Sequence, residues 1–545
     1  MSPTLMHLDA GSRMNSLENQ QRMLRSLSEP ERFPHPADRI ERIETHISTV
    51  LLAGEHAYKI KKPLDLGFLD FSTLEKRRAC CSAELDINRV LAPAVYQDVV
   101  AIRGTLDDPH FGGSGPVLEY AVHMQRFDPE QQLDRLLARG QLPPLAMDEL
   151  AAKVARFHET APRADPKSGH GTPESVLAPM LANFEVLARH ADRVSDGPHR
   201  LAILESWTRD NGARLAPVLQ QRREQGFIRA CHGDMHLGNM VYVDAGDDGP
   251  SLVIFDGIEF NPELRWIDVM SEVAFLTMDL HARDASSHAH RFLNLYLEYR
   301  GDFDGLEVLA FYQVYRALVR AKVHAIHAVE PGLSEAEQAE CYAQVENYLN
   351  LALKLRAPGR PGLVLMHGVS GSGKTYVSTE ILQRIGGIRL RTDIERKRAI
   401  GLSPDSRPTP GQEAELYANE GIEQVYALLL RHAETLLLRG HRVIVDGTFL
   451  SVARRRPFEQ LASELRVPCA VVACTADPDV LRARLASRER SGVDASDADI
   501  AVMQRQLSQV EPPGSGESCV QSHPGEPLDW TLLETLLEET PQSPG

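Results

Sequence analysis

Gly368-Val369-Ser370-Gly371-Ser372-Gly373-Lys374-Thr375 fits the pattern G-x-x-x-x-G-K-[ST], and its flanks give that pattern a structural context. Leu363-Val364-Leu365-Met366 before it is short and apolar, as a buried parallel strand is. Residues 376–384 after it read as a helix, closed by Gly386-Gly387. Glycines let successive backbone N–H groups turn toward one anion, and the helix N-terminus adds partial positive charge. Gly368, Ser370, Gly371, Ser372 and Gly373 are therefore the candidate phosphate cradle. Lys374 is the side chain that would reach the β- and γ-phosphates, and the Thr375 hydroxyl would ligate Mg²⁺. The stretch predicts a nucleoside triphosphate site.

Downstream, strand and helix alternate as in a parallel α/β sheet: strands at 388–391, 443–445 and 470–474, helices at 412–439, 452–465 and 479–490. Ligands of such sheets collect at the carboxyl ends of the strands. Asp393, just past the second strand, is thus placed near the γ-phosphate, as base for an acceptor hydroxyl, as N-cap of the next helix, or as both. Val443-Ile444-Val445 ends on Asp446, a candidate ligand of Mg²⁺ or its water shell, with Thr448 beside it. Arg482, Arg484, Arg488 and Arg490 share one helix, and Arg484 and Arg488, four apart, share a face. They either close over the transferring phosphate or form a solvated basic face. Residues 512–524, rich in Gly, Ser and Pro, are expected to be flexible, and 529–539 to add a last helix.

Upstream, Ala357-Pro358-Gly359-Arg360-Pro361-Gly362 reads as an interdomain linker. The resulting division is an arm over 1–36, a first domain over 37–356 with a small lobe to about 126, a second domain over 363–510 and a tail over 511–545. The small lobe reads as antiparallel strands, at 43–52, 56–61, 95–103 and 117–126, with one helix at 74–91. Beyond Phe127-Asp128-Pro129 the pattern is mainly helical, including 266–280 and 288–299.

The 545 residues suffice for two to four cores. A formal charge of -17 argues against a nucleic-acid coat or an anionic-membrane binder, because both need a basic face. Seven cysteines without a C-x-x-C pair fit free thiols in a reducing cytosol. No leader and no run of about 20 apolar residues is visible, so a cytoplasmic protein without a membrane span is expected.

His232-Gly233-Asp234-Met235-His236-Leu237-Gly238-Asn239 comes after a short strand, with Asp234 and Asn239 spaced as in H-R-D-x-x-x-x-N. Asp256 ends a second strand, as the metal-binding acid of D-F-G does. H-G-D-x-H-x-x-N with a later strand ending in Asp resembles the aminoglycoside phosphotransferase and choline-kinase-like group, over about 40–355. That resemblance implies a bilobal α+β protein-kinase-like fold, with Asp234 as catalytic base and Asn239 and Asp256 as Mg²⁺ ligands. It places Lys59 on the α- and β-phosphates of ATP and Glu84 as its ion-pair partner. Lys61 points to the same face of the strand, so the choice between the two lysines stays open. Residues 124–127 fall where a hinge would meet adenine. No G-x-G-x-x-G precedes Lys59, and Thr45-His46-Ile47-Ser48 takes the phosphate-covering position. His232 and His236 are read as braces of the loop, and Asp268 as a helix cap.

The second half resembles P-loop kinases related to polynucleotide kinase 5′-domains, gluconate kinase and zeta-type toxins, which implies an α/β P-loop fold. The order of both halves resembles predicted bacterial fusions of the two kinds of domain. Together they imply an ATP- and Mg²⁺-dependent phosphotransferase acting on small hydroxylated molecules. The alternatives are an ATP-binding regulator with one inactive half, or a nucleic-acid 5′-hydroxyl kinase in the second half, which the acidic balance counts against.

Overall fold

Short alternating runs, punctuated by glycine turns, set the first sheet. In the computed structural model, which describes residues 16–538 apart from 66, 68, 245, 247, 248, 407, 410, 413–418 and 492–499, they are Ile40–Glu44 (β1), Ser48–Ala53 (β2), His56–Lys61 (β3), Tyr96–Thr105 (β4), Asp108–Phe111 (β5) and Val117–Gln125 (β6). They pair antiparallel in the order β1-β2-β3-β6-β4-β5. The expected strand over 43–52 is in fact two. Thr45 Oγ1 donates to the Ser48 carbonyl at 3.0 Å and accepts from Ser48 N–H at 2.9 Å, closing a turn at 45–48.

The sequence reads as a helix over 17–27 within a loosely held arm; Leu17–Ser26 is a helix capped by Ser16, and it is packed rather than loose. Met23, Leu24 and Leu27 are fully buried against Leu51, Tyr58 and Ile60. Burying such a side chain is worth about 1.5–3 kcal/mol, enough to order a short amphipathic helix that cannot stand alone. Gln20 Nε2 ties the helix to the Lys61 carbonyl at 2.7 Å.

Leu74–Asn88 is a helix on this sheet, with Val122 and Tyr96 in their shared core. Beyond Arg126 the chain turns mainly helical, with Ile228–Ala230 (β7), Met240–Asp244 (β8), Pro250–Ile254 (β9) and Trp266–Asp268 (β10) among the helices. β10 pairs with β7 and β8 with β9, so the helix expected from 266 starts only at Val269. This unit has the bilobal α+β layout of protein-kinase-like folds.

The second sheet is all parallel: Gly362–His367 (β11), Ile388–Arg391 (β12), Arg442–Asp446 (β13), Cys469–Cys474 (β14) and Cys519–Ser522 (β15), in the order β12-β13-β11-β14-β15. β11 is buried at every position, as a central parallel strand must be. The stretch 512–524, expected to be flexible, supplies β15. Val520 fills the core beside Leu528, Leu533 and Leu537, the last two from the helix Trp530–Glu538. This is an α/β P-loop fold.

Each sheet belongs to its own compact unit. The first unit comprises Met1–Glu149, Arg156–Asp279 and Phe311–Leu349; the second comprises Leu150–Ala155, Leu280–Ala310 and Asn350–Gly545. The expected boundary at 357–362 is therefore not where compactness divides the chain. The helix Ser286–Arg300, read from sequence as part of the first domain, packs within the second unit. Among the described residues no helix is long and apolar enough to cross a membrane.

Candidate active sites

Lys59 and Lys61 leave β3 on one face, two residues apart, and meet the same carboxylate. Glu84, on the helix Leu74–Asn88, lies 2.9 Å from Lys59 Nζ and also pairs with Lys61. Their other partners separate them. Lys59 Nζ is 2.5 Å from Asp256 Oδ1, whereas Lys61 pairs with Glu259 and is wholly buried. Lys59 thus faces the side where Asp256, 45% exposed, meets solvent, and Lys61 is an internal tie. Burial pushes the Glu84 carboxyl up, but Lys59 and Lys61 outweigh it and hold it below the ordinary range. Burial and the neighbouring Glu84 charge raise Glu259.

Asp256 comes just after β9 with φ +61°, a left-handed backbone uncommon outside glycine, asparagine and aspartate. Its N–H donates to Tyr96 Oη at 3.2 Å, and the next N–H, of Gly257, donates to Asn88 Oδ1 at 2.7 Å. Two anchors therefore hold the turn that aims this carboxylate.

The loop after β7 is braced from all sides. His232 Nε2 lies 2.9 Å from the Phe255 carbonyl, and its Nδ1 accepts from Asp234 N–H at 3.3 Å. Glu272 accepts from Gly233 N–H at 2.6 Å, Asp279 from Leu237 N–H at 3.0 Å, and Arg316 donates to the Gly233 carbonyl at 3.1 Å. Asn239 Nδ2 donates to Asp234 Oδ2 at 3.0 Å, which leaves its amide oxygen as a ligand atom. His236 sits 3.4 Å from the same Oδ2. Burial works to raise the Asp234 carboxyl, but His236, His232 and Arg320 together hold it well below the usual carboxylate range. It is an ionised acceptor, able to orient a hydroxyl. Asp268 accepts from Met270 N–H at 2.9 Å at the start of the helix Val269–Ala282 and grips Arg222 at 2.7 Å. Phe127, past the end of β6, packs on Phe255 with ring centres 5.0 Å apart.

In the second unit the phosphate loop joins β11 to the helix Lys374–Ile385. Gly368 has φ +142°, and a Cβ there would lie 2.4 Å from the Cys474 carbonyl oxygen. Lys374 Nζ donates to the Val369 carbonyl at 2.9 Å, arching over the loop. Arg484, on the helix Pro478–Ser491, donates to the Gly371 and Ser372 carbonyls, each at 3.3 Å. Gln506, on the helix Ile500–Leu507, accepts from Ser370 N–H at 2.7 Å. The side chain of Arg488 lies outside the described residues. Arg482 pairs outward with Asp479 at 2.5 Å.

Asp446 ends β13, buried, with Ser378 Oγ donating to its Oδ2 at 3.1 Å and Arg391 Nε 3.9 Å away. Asp393 lies in the first turn of the helix Thr392–Ala399; the N-cap is Arg391, so the expected cap role is not the one seen. Lys374, Thr375, Asp393, Asp446 and Arg484 line one cavity of about 490 Å³. A second cavity, of about 330 Å³, shares Gly373, Tyr376 and Arg484 with it, and its lining includes Val377, Glu380 and the turn His523-Pro524-Gly525 after β15. The carboxylates and Asn239 amide oxygen of the first unit, and the carboxylates and Thr375 hydroxyl of the second, are hard oxygen donors of the kind Mg²⁺ accepts.

Sequence reasoning missed Glu272, Asp279 and Arg316 as supports, Gln506 at the loop, and Glu298. Glu298, on the helix Ser286–Arg300, pairs with Arg389 at 2.7 Å and with Arg391 at 3.2 Å. Nothing local marks it, since one acid on a half-apolar helix reads as solvated.

The family described as an AAA domain matches residues 363–513. The chain is 30% identical over 458 residues to "Uncharacterized protein Rv2004c" of Mycobacterium tuberculosis, covering 84% of this chain and 88% of that protein. The same figures hold for "Uncharacterized protein Mb2027c" of Mycobacterium bovis. Among solved structures it is similar to an ethanolamine kinase of Plasmodium vivax (10% identity, 59% of this chain and 82% of that one, TM-score 0.37). It is also similar to a gluconokinase of Sinorhizobium meliloti 1021 (21% identity, 33% and 91%, TM-score 0.24).

Proposed function

We propose that this chain, which belongs to the family of the mycobacterial protein Rv2004c, is a phosphotransferase with two separate MgATP sites, each passing the γ-phosphoryl group to the hydroxyl of a small molecule. The observation that carries the reading is that each unit gathers its own full set of groups for a triphosphate tail. In the first unit these are Lys59 with Glu84, Asp234 with Asn239, and Asp256. In the second they are Lys374, Thr375, Asp446, Asp393 and Arg484 around one cavity.

In the first unit Lys59 would hold the α- and β-phosphates, positioned by Glu84, while Asn239 and Asp256 supply the oxygen ligands. Mg²⁺ there would neutralise charge on the transferring group. Asp234, kept ionised, accepts a hydrogen bond from the acceptor hydroxyl and aligns it for in-line attack. In the second unit the loop N–H groups and Lys374 would cradle the tail, and Thr375 and Asp446 the metal. Asp393 would take the acceptor proton and Arg484 would offset the developing charge. The smaller cavity, behind the loop, is suited to the nucleoside, and the larger one to the acceptor.

The test is ADP release by the whole chain, by Lys374→Ala, by Asp234→Ala and by the double variant, against a panel of small hydroxylated acceptors. Two residual activities, with different acceptors in the two single variants and none in the double, are expected. Loss of all turnover in Lys374→Ala alone would reduce the first unit to a sensor and overturn the two-enzyme reading.

A further inference from the structure

Among the described residues, two clusters bring the ligand atoms of three histidine, cysteine or carboxylate side chains within 4.8 Å of one another. One, His158 with Cys231 and Glu272, is wholly buried, and its carboxylate is already engaged. Glu272 meets His158 Nε2 at 2.9 Å and the Gly233 N–H at 2.6 Å, so this cluster is a brace of the loop. The other, His46 with His327 and Glu330, opens to solvent, and neither proposed transfer uses it.

His46 sits in the turn that joins β1 to β2, His327 ends the helix Leu306–His327, and Glu330 follows three residues on. Positions so far apart in the chain meet only through the fold of the first unit. His46 Nδ1 lies 2.9 Å from Glu330 Oε1, and His327 Nδ1 lies 2.8 Å from Glu330 Oε2. Both imidazoles thus aim the same nitrogen at one carboxylate. The rings meet edge-on, with centres 5.7 Å apart and planes at 75°. Side-chain exposures of 65% for His46, 41% for His327 and 32% for Glu330 let an ion arrive from solvent. Contacts between groups this exposed contribute little to stability, so holding the fold together does not account for the convergence.

The donor set selects the ion. Two imidazole nitrogens and one carboxylate oxygen suit Zn²⁺, whereas Mg²⁺ takes oxygen donors and keeps its waters. Around a tetrahedral Zn²⁺, with bonds of about 2.0–2.1 Å, ligand atoms stand roughly 3.3 Å apart. Exposed side chains reach that spacing from the one seen by small rotations. We propose that His46, His327 and Glu330 form a Zn²⁺ site, its fourth position left to water, and that the ion ties the β1–β2 turn to the end of the helix Leu306–His327. Each imidazole binds through the Nδ1 lone pair and keeps its proton on Nε2.

The two ends of the tie give it a consequence. Ile47, next to His46, packs on Leu69 and Phe71 together with Phe260, the neighbour of Glu259. At the other end, Arg316 of the same helix donates to the Gly233 carbonyl at 3.1 Å. The ion therefore joins the turn in the phosphate-covering position to the helix that braces the loop carrying Asp234.

The experiment strips the full-length chain with EDTA, adds excess Mg²⁺ to fill the oxygen-donor sites, and titrates Zn²⁺ by calorimetry. Co²⁺ is titrated in parallel and followed by its absorption spectrum. The parent should bind one Zn²⁺ that His46→Ala, His327→Ala and Glu330→Gln each bind at least tenfold more weakly. Melts without Zn²⁺ confirm that the variants fold; His46→Ala, on an exposed turn, should match the parent there. Zn²⁺ should also slow hydrogen exchange of the amides at 45–48 in the parent and not in His46→Ala. The proposal is overturned if no Zn²⁺ binds beside Mg²⁺, or if the variants bind it as tightly as the parent. A near-ultraviolet sulfur-to-cobalt band would overturn it as well, by assigning the ion to a cysteine. Binding without slowed exchange at 45–48 would refute the tie.

Discussion

Replacing Glu298 by alanine should unfold the second unit far more readily than an ordinary helix substitution. The carboxylate is 7% exposed and accepts from Arg389 Nη2 at 2.7 Å and Nε at 3.1 Å, and from Arg391 Nη1 at 3.2 Å. Alanine removes the partner and leaves the buried Arg389 guanidinium to its bonds with Ser378 and Thr379. Breaking a buried pair by deleting one member typically costs about 3–5 kcal/mol. For a unit of this size that is a fall in midpoint of roughly 6–20 °C. Differential scanning calorimetry of the full chain, with a nonhydrolysable ATP analogue added to mark the second unit by its upward shift, measures it. The pH dependence gives an independent reading. Burial works to raise Glu298, but Arg389 and Arg391 hold it below its ordinary value. Its stabilisation is therefore present above the unfolded carboxylate pKa and lost as pH falls through the folded value, and the variant should lack that acid limb. A shift below about 2 °C at neutral pH, with the acid limb intact, would refute the assignment of this helix to the second unit.

Lys61→Met should lower the midpoint of the first unit by several degrees, because it strands Glu259 in the interior and leaves Glu84 to Lys59 alone, at a cost of about 3–5 kcal/mol; a calorimetric scan checks it. Gly368→Ala should abolish binding of a fluorescent ATP analogue, since its Cβ would fall 2.4 Å from the Cys474 carbonyl; retained binding would mean the loop relaxes. Burial and Glu517 push the Glu459 carboxyl up to about 7, so the stability it contributes is full below pH 4.5 and lost as pH rises toward 7. Glu459→Gln should flatten thermal stability across that window, measured as midpoint against pH.

The phosphate loop and its flanks were legible because their information is local: a strand, a glycine turn and a helix lie adjacent in the chain. The loop from His232 to Asn239 was legible for the same reason. Lys59 against Lys61 was not, because both leave β3 on one face, and only Asp256 and Glu259, far along the chain, tell them apart. The described parts of the arm and the tail, 16–36 and 511–538, are ordered where looseness was expected, since that order comes from what Met23, Leu24 and Val520 are buried against and not from their own propensity. A proline- and glycine-rich stretch marks where a chain bends, whereas compactness tracks contacts such as Glu298 with Arg389, so the two units do not divide at 357–362.

Asp256 keeps a backbone geometry that glycine would adopt freely. An aspartate there spends conformational free energy, which its half-open carboxylate offsets in part through the ion pair with Lys59. Asp256→Gly would relax that backbone and remove the carboxylate proposed to hold Mg²⁺ in the first unit, so thermostable variants of this protein should be sequenced at that codon before their activity is compared.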